Sequence, residues 1–112
     1  MTRMYSNPVL ATEANANQKF QSIPSSGMWR IAYGKDHTAM GYFMDFEPLD
    51  DEAKSKCSVS WDGREDPEDE PAPKEEWEYN MISLDQLFTN PKMTLRDWVD
   101  ILNGFGIENL LV

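Results

Sequence analysis

Residues 28–47 read Met28-Trp29-Arg30-Ile31-Ala32-Tyr33-Gly34-Lys35-Asp36-His37-Thr38-Ala39-Met40-Gly41-Tyr42-Phe43-Met44-Asp45-Phe46-Glu47. In the first part Trp29, Ile31 and Tyr33 alternate with Arg30 and Ala32. In the last part Met40, Tyr42, Met44 and Phe46 alternate with Phe43, Asp45 and Glu47. Successive side chains of a strand point to opposite faces, so each run reads as a half-buried strand. The residues between them, Gly34 to Thr38, carry turn chemistry. The stretch therefore predicts a β-hairpin with strands at 28–33 and 40–47, ended by Pro48.

Downstream, Asp50 to Lys56 reads as a charged connection. Cys57-Ser58-Val59-Ser60-Trp61 alternates and predicts a third strand over 57–61, stopped by Asp62-Gly63. Residues 64–76 hold three prolines and seven acids, with Ala72 alone apolar. Such a segment buries too little to offset its ordering entropy, so a mobile loop is expected there. Trp77 to Ile82 resumes the alternation as a fourth strand, 77–82. Ser83 is positioned to cap a short helix over 84–88, which Asn90-Pro91 ends. A better specified helix spans 95–103. Thr94 is a natural N-cap, Asp97 places a carboxylate in the first turn, and Met93 with Trp98 can form a hydrophobic staple. Leu95, Trp98, Val99 and Leu102 keep the helical period, and Asn103-Gly104 supplies the stop. Ile107 to Val112 is an apolar tail expected to fold back as a strand or a final turn.

Upstream, residues 1–26 are rich in Asn, Ala and Ser and hold no sustained period. They read as an extended N-terminal arm, with a weak helical tendency over Ala11 to Phe20 behind Thr12. The predicted architecture is α+β: one domain over 27–112 with an antiparallel sheet of about four strands and C-terminal helices packed on one face. Without the arm and the loop only 73 residues remain to build the core. A domain that small buries about 60% of its unfolded-chain surface and is marginal. Trp29, Trp61, Trp77 and Trp98 offset part of the shortfall. A homodimer or another partner would supply the rest.

The chain has 112 residues, 20 acids against 10 Lys and Arg, and a net charge of −10. The span Asp45–Glu78 holds 14 of the acids and 4 of the bases, so it carries the entire excess. The remainder is neutral. Such a balance lacks the basic footprint of a direct nucleic-acid binder. It also speaks against an anionic membrane surface, and no apolar run is long enough to span a bilayer. The lack of a leader-like opening and the single cysteine fit a reducing, cytoplasmic setting.

Catalytic and cofactor chemistry finds little support. His37 is the only histidine and Cys57 the only cysteine. A Cys57–His37 nucleophilic pair is formally available, but the stronger reading of Cys57 is a small core residue of its strand. No phosphate-binding glycine loop, nucleophile elbow or Cys-x-x-Cys occurs. The acids lack the spacing of a calcium loop, so neither a metal site nor a cofactor is expected.

Binding is the remaining class. A segregated acidic segment suits docking to a basic surface of a protein partner. The candidate partner-binding residues are Asp45, Glu47, Asp50, Asp51, Glu52, Glu65, Asp66, Glu68, Asp69 and Glu70. Phe43 joins them as an apolar spot beside Ala32, ringed by Arg30, Asp45 and Glu47. A non-enzymatic adaptor, assembly factor or inhibitor is the leading expectation. An inhibitor that mimics nucleic acid is the alternative, and it needs ordered carboxylates, for which Asp45, Glu47, Glu78 and Asp50 to Glu52 are the candidates. A small enzyme or ligand-binding domain built on Cys57 and His37 is the other.

Overall fold

The computed structural model describes residues 2–36, 41–59 and 77–107. The hairpin is its centre. Strand β3, Met28–Asp36, pairs antiparallel with β4, Gly41–Pro48, from Trp29 opposite Pro48 to Asp36 opposite Gly41. The period of two places Trp29, Ile31, Met44 and Phe46 on one face, all fully buried. His37 and Met40 lie outside the described residues.

The N-terminal segment is no detached arm. Strand β1, Thr2–Tyr5, and the two-residue β2, Val9–Leu10, both pair antiparallel with the free edge of β3. Ser6 bridges them: its amide donates to the Ile31 carbonyl, and its hydroxyl accepts from the Ile31 amide at 2.9 Å. Ala11, Phe20 and Ile23 then enter the core. Spacing hides this, because residues 11–23 bury isolated apolar side chains from an irregular path. The helical tendency of that stretch yields one 3₁₀ turn, Glu13–Asn15.

Two other expectations shift. Of the strands expected at 57–61 and 77–82, residues 57–59 and 77–81 share a single bridge, Val59 opposite Tyr79, and residues 60 and 61 lie outside the described residues. Strand β5 is instead Ile82–Asp85, antiparallel to β4. It occupies part of the segment expected to be the helix 84–88. Ile82-Ser83-Leu84-Asp85 alternates, and pairing Leu84 with Met44 buries it in the core. The chain then turns because the Asp85 carboxylate accepts from the Leu87 and Phe88 amides, while Thr89 Oγ1 accepts from the Asp85 amide. A side chain that satisfies backbone donors locally competes with helix formation. Among the described residues the sheet has the order β1-β3-β4-β5, with β2 beside β1 on the same edge of β3.

Helices lie on the core face. Residues Asp51–Lys54 form the single-turn α1, where a plain connection was expected. Asp50 caps it, accepting from the Ala53 amide at 2.8 Å and from the Met28 amide at 3.1 Å. Helix α2, Leu95–Gly104, starts at Thr94 as read from the sequence. The Thr94 hydroxyl accepts from the Asp97 amide, and Asp97 accepts in return from the Thr94 amide. Trp98, Ile101 and Leu102 are its buried residues, with Leu95 and Val99 partly covered. Its stop is displaced by two residues: Gly106, at φ +84°, takes the left-handed conformation, and the Ile107 amide returns to the Leu102 carbonyl. The last residues of the tail, 108–112, lie outside the described residues.

Two tryptophans tie these layers together. Trp29 Nε1 donates to the Ser26 carbonyl at 2.8 Å, and its ring meets Phe46 edge-on. Trp98 Nε1 donates to the Phe43 carbonyl at 2.9 Å, fixing α2 beneath β4. Trp98→Ala removes a buried aromatic and should cost about 3–5 kcal/mol in urea unfolding. Trp98→Phe keeps most of the packing and should cost less, about 1–3 kcal/mol for the lost buried hydrogen bond. Gly27 stands at φ +87°, and a Cβ there would meet the Ala53 backbone nitrogen at 2.7 Å. Gly27→Ala should therefore destabilise by more than the roughly 1–2 kcal/mol of a left-handed alanine alone, read by the same unfolding midpoint.

Candidate functional site

The face of the sheet away from the helices carries Arg3 and Tyr5 from β1, Arg30, Ala32 and Gly34 from β3, and Phe43, Asp45 and Glu47 from β4. Register explains their company. Arg3 pairs with Gly34, and Gly34 with Phe43. Gly34 has no side chain, so the Arg3 guanidinium passes over it to lie 5.1 Å from the centre of the Phe43 ring. Its Nη2 also contacts Asp45 Oδ2 at 3.2 Å. One row along, Arg30 Nε donates to Glu47 Oε2 at 2.8 Å, and its guanidinium lies 5.6 Å from the Tyr5 ring.

These contacts change the reading of the predicted site. Phe43 is not an exposed apolar spot: it is 6% exposed, beneath Arg3. Asp45 and Glu47 are each held by an arginine of the same sheet. Asp50 is occupied as a helix cap. Glu52 accepts from the Ser26 hydroxyl at 2.9 Å and faces Lys56 at 3.9 Å. Asp51 and Glu78 are exposed. The expected ordered acidic face is therefore divided into locally neutralised pairs and caps. Cross-strand partners cause this, and a sequence does not reveal them until register is known. Glu65, Asp66, Glu68, Asp69 and Glu70 lie outside the described residues.

The balance of charge can be placed from the sequence and these pairs together. The described residues hold 11 acids and 8 bases, a net of −3, while residues 60–76 hold 8 acids and 2 bases, a net of −6. Besides the pairs above, Lys19 holds Asp97 at 2.7 Å and Arg96 faces Asp100 at 3.7 Å.

Chemistry finds little here among the described residues. Cys57 is half-buried, and burial pushes its thiol up, away from the thiolate a nucleophile needs. Its suggested partner His37 falls outside them. No group of three or more His, Cys, Asp or Glu is placed to hold a metal ion. A hollow of about 200 Å³ is lined by Asn15, Asn17, Asp97, Asp100 and Phe105. Its polar groups are committed: Asn15 donates to the Gly104 carbonyl, Asn17 accepts from the Lys19 and Phe20 amides, and Asp97 pairs with Lys19. A second, of about 380 Å³, lies among Gln21, Ile23, Pro24, Lys56 and Ile82 and holds no acid–base pair. No helix of the described residues is long and apolar enough to cross a membrane.

The Lys19 hydrogen bond, aided by the Thr94 amide, holds the Asp97 carboxyl below the usual carboxylate range. A depressed folded-state value contributes stability above the unfolded aspartate pKa of about 3.9, and loses it as pH falls through the folded value. In a carbon-detected NMR titration Asp97 should titrate below the ordinary aspartate range, and Lys19→Met should move it back up. Comparison with protein families, curated proteins and solved structures finds no match for the chain.

Proposed function

We propose that the protein is a non-enzymatic acidic interaction protein, an adaptor, assembly factor or inhibitor, that docks a basic surface of a protein partner. The observation that carries this reading is the placement of charge. The acids of β4 and α2, and Glu52 of α1, face cations of their own chain, whereas the sequence of 60–76 holds 8 acids against 2 bases. Glu65, Asp66, Glu68, Asp69 and Glu70 are therefore the residues assigned to the partner, and Asp45, Glu47 and Asp50 are assigned to the fold. Opposite charge raises encounter rate and selects the partner more than it sets raw affinity. A reducing, cytoplasmic setting goes with this reading, since the single Cys57 has no second cysteine to join.

Nucleic-acid mimicry is the weaker reading, because it asks for carboxylates at fixed, unpaired positions, and Asp45 and Glu47 each carry an arginine. The test is retention by the immobilised chain from an extract of its source cells. The partner should elute as salt is raised from about 0.1 M to 0.5 M, where screening shortens to a few ångströms. A variant with Glu65, Asp66, Glu68, Asp69 and Glu70 replaced by Gln and Asn should fail to retain it. Retention by that variant, or binding indifferent to salt, refutes the proposal.

A further inference from the structure

The sheet face away from the helices also exposes apolar side chains in one row. Leu10 is opposite Met28 in the register of β2 and β3, and Leu49 continues β4 opposite Met28, its amide donating to the Met28 carbonyl. Leu10 is 64% exposed, and Tyr5, on the same face, is 59% exposed. Met28 and Leu49 are more than a third exposed. No described helix or strand covers this face. Beside the row, charge divides by strand: the cations Arg3 and Arg30 stand on β1 and β3, and the anions Asp45 and Glu47 on β4.

We infer that this face is a two-fold interface with a second copy of the chain. The occupant follows from the distribution of charge. An interface between identical subunits must be complementary to itself, so a residue meets its counterpart's partner and the reverse. Take a two-fold axis in the plane of the face, parallel to the strands and between β3 and β4. Rotation about it keeps each cross-strand row in place and exchanges the β3 side for the β4 side. Met28 of one copy then meets Leu49 of the other, and Arg30 meets Glu47 of the other, twice. Apolar rows coincide and opposite charges oppose. Two sheets stack in this way with nearly aligned strands, as in a sandwich. A basic partner is matched less well, because the arginines already balance the acids here.

Sedimentation velocity of the full chain from about 1 to 100 µM should show a monomer–dimer equilibrium, the upper limit saturating a dimer of micromolar affinity. Met28→Asp and Leu10→Asp, at exposed positions that leave the circular dichroism spectrum intact, should each weaken the dimer at least about tenfold, as a charge buried in an apolar row does. Phe88→Asp, at a 71% exposed residue in the turn after β5, should leave it unchanged. Arg30→Glu and Glu47→Arg should each weaken association alone, and their equimolar mixture should restore it, because each copy then offers the sign the other lacks. A wild-type monomer at 100 µM overturns the inference. So does a dimer that survives Met28→Asp, or one lost with Phe88→Asp instead. A chain that stays monomeric but loses a foreign partner on Met28→Asp assigns the face to that partner, and also overturns it.

Discussion

Strand β3 is paired on both edges, and that pairing organises the molecule. Its amides and carbonyls bond to β1, Ser6 and β2 on one side and to β4 on the other. A strand buried at the middle of a sheet must satisfy its backbone groups along its whole length. Once it does, the period of two is locked. Trp29, Ile31 and Tyr33 can face only the helices, and Arg30, Ala32 and Gly34 only the opposite side. A slip of one residue would bury Arg30 and expose Trp29, so the register is strongly specified.

The core face follows from this constraint. Trp29 and Phe46 meet across β3 and β4, and Trp98 rises from α2 to bond the Phe43 carbonyl. Phe20 and Ile23 close the same core from an irregular segment. The N-terminal residues thus contribute twice, as edge strands and as core, which enlarges a domain that would otherwise be marginal.

The opposite face has a different logic. Its acids are matched by arginines across the strands, and the ring of Phe43 lies under Arg3. Exposed pairs of this kind contribute little stability each, about 0–1 kcal/mol. Their effect is on where free charge resides. Neutralising β4 locally leaves the excess in the segment between Val59 and Trp77, where the proposed recognition of a basic partner is placed. The face itself is left nearly neutral and partly apolar, which suits contact with its own copy. The two inferences thus use separate parts of the chain and do not compete.

Alternation alone was enough to read the β3–β4 hairpin, and the Thr94, Asp97 and Trp98 pattern was enough to read the start of α2. Both depend on contacts a few residues apart, which spacing records directly. The segregation of charge was legible in the same way. Only the tertiary structure decided the remainder. Residues 2–5 and 9–10 become strands because β3 offers an edge, and Ile82–Asp85 a strand because β4 offers the other. Asp45 and Glu47 lose their role as free acids because Arg3 and Arg30 reach them across a register. Each of these outcomes joins residues distant in the chain, and no local propensity or spacing carries information about a partner that far away.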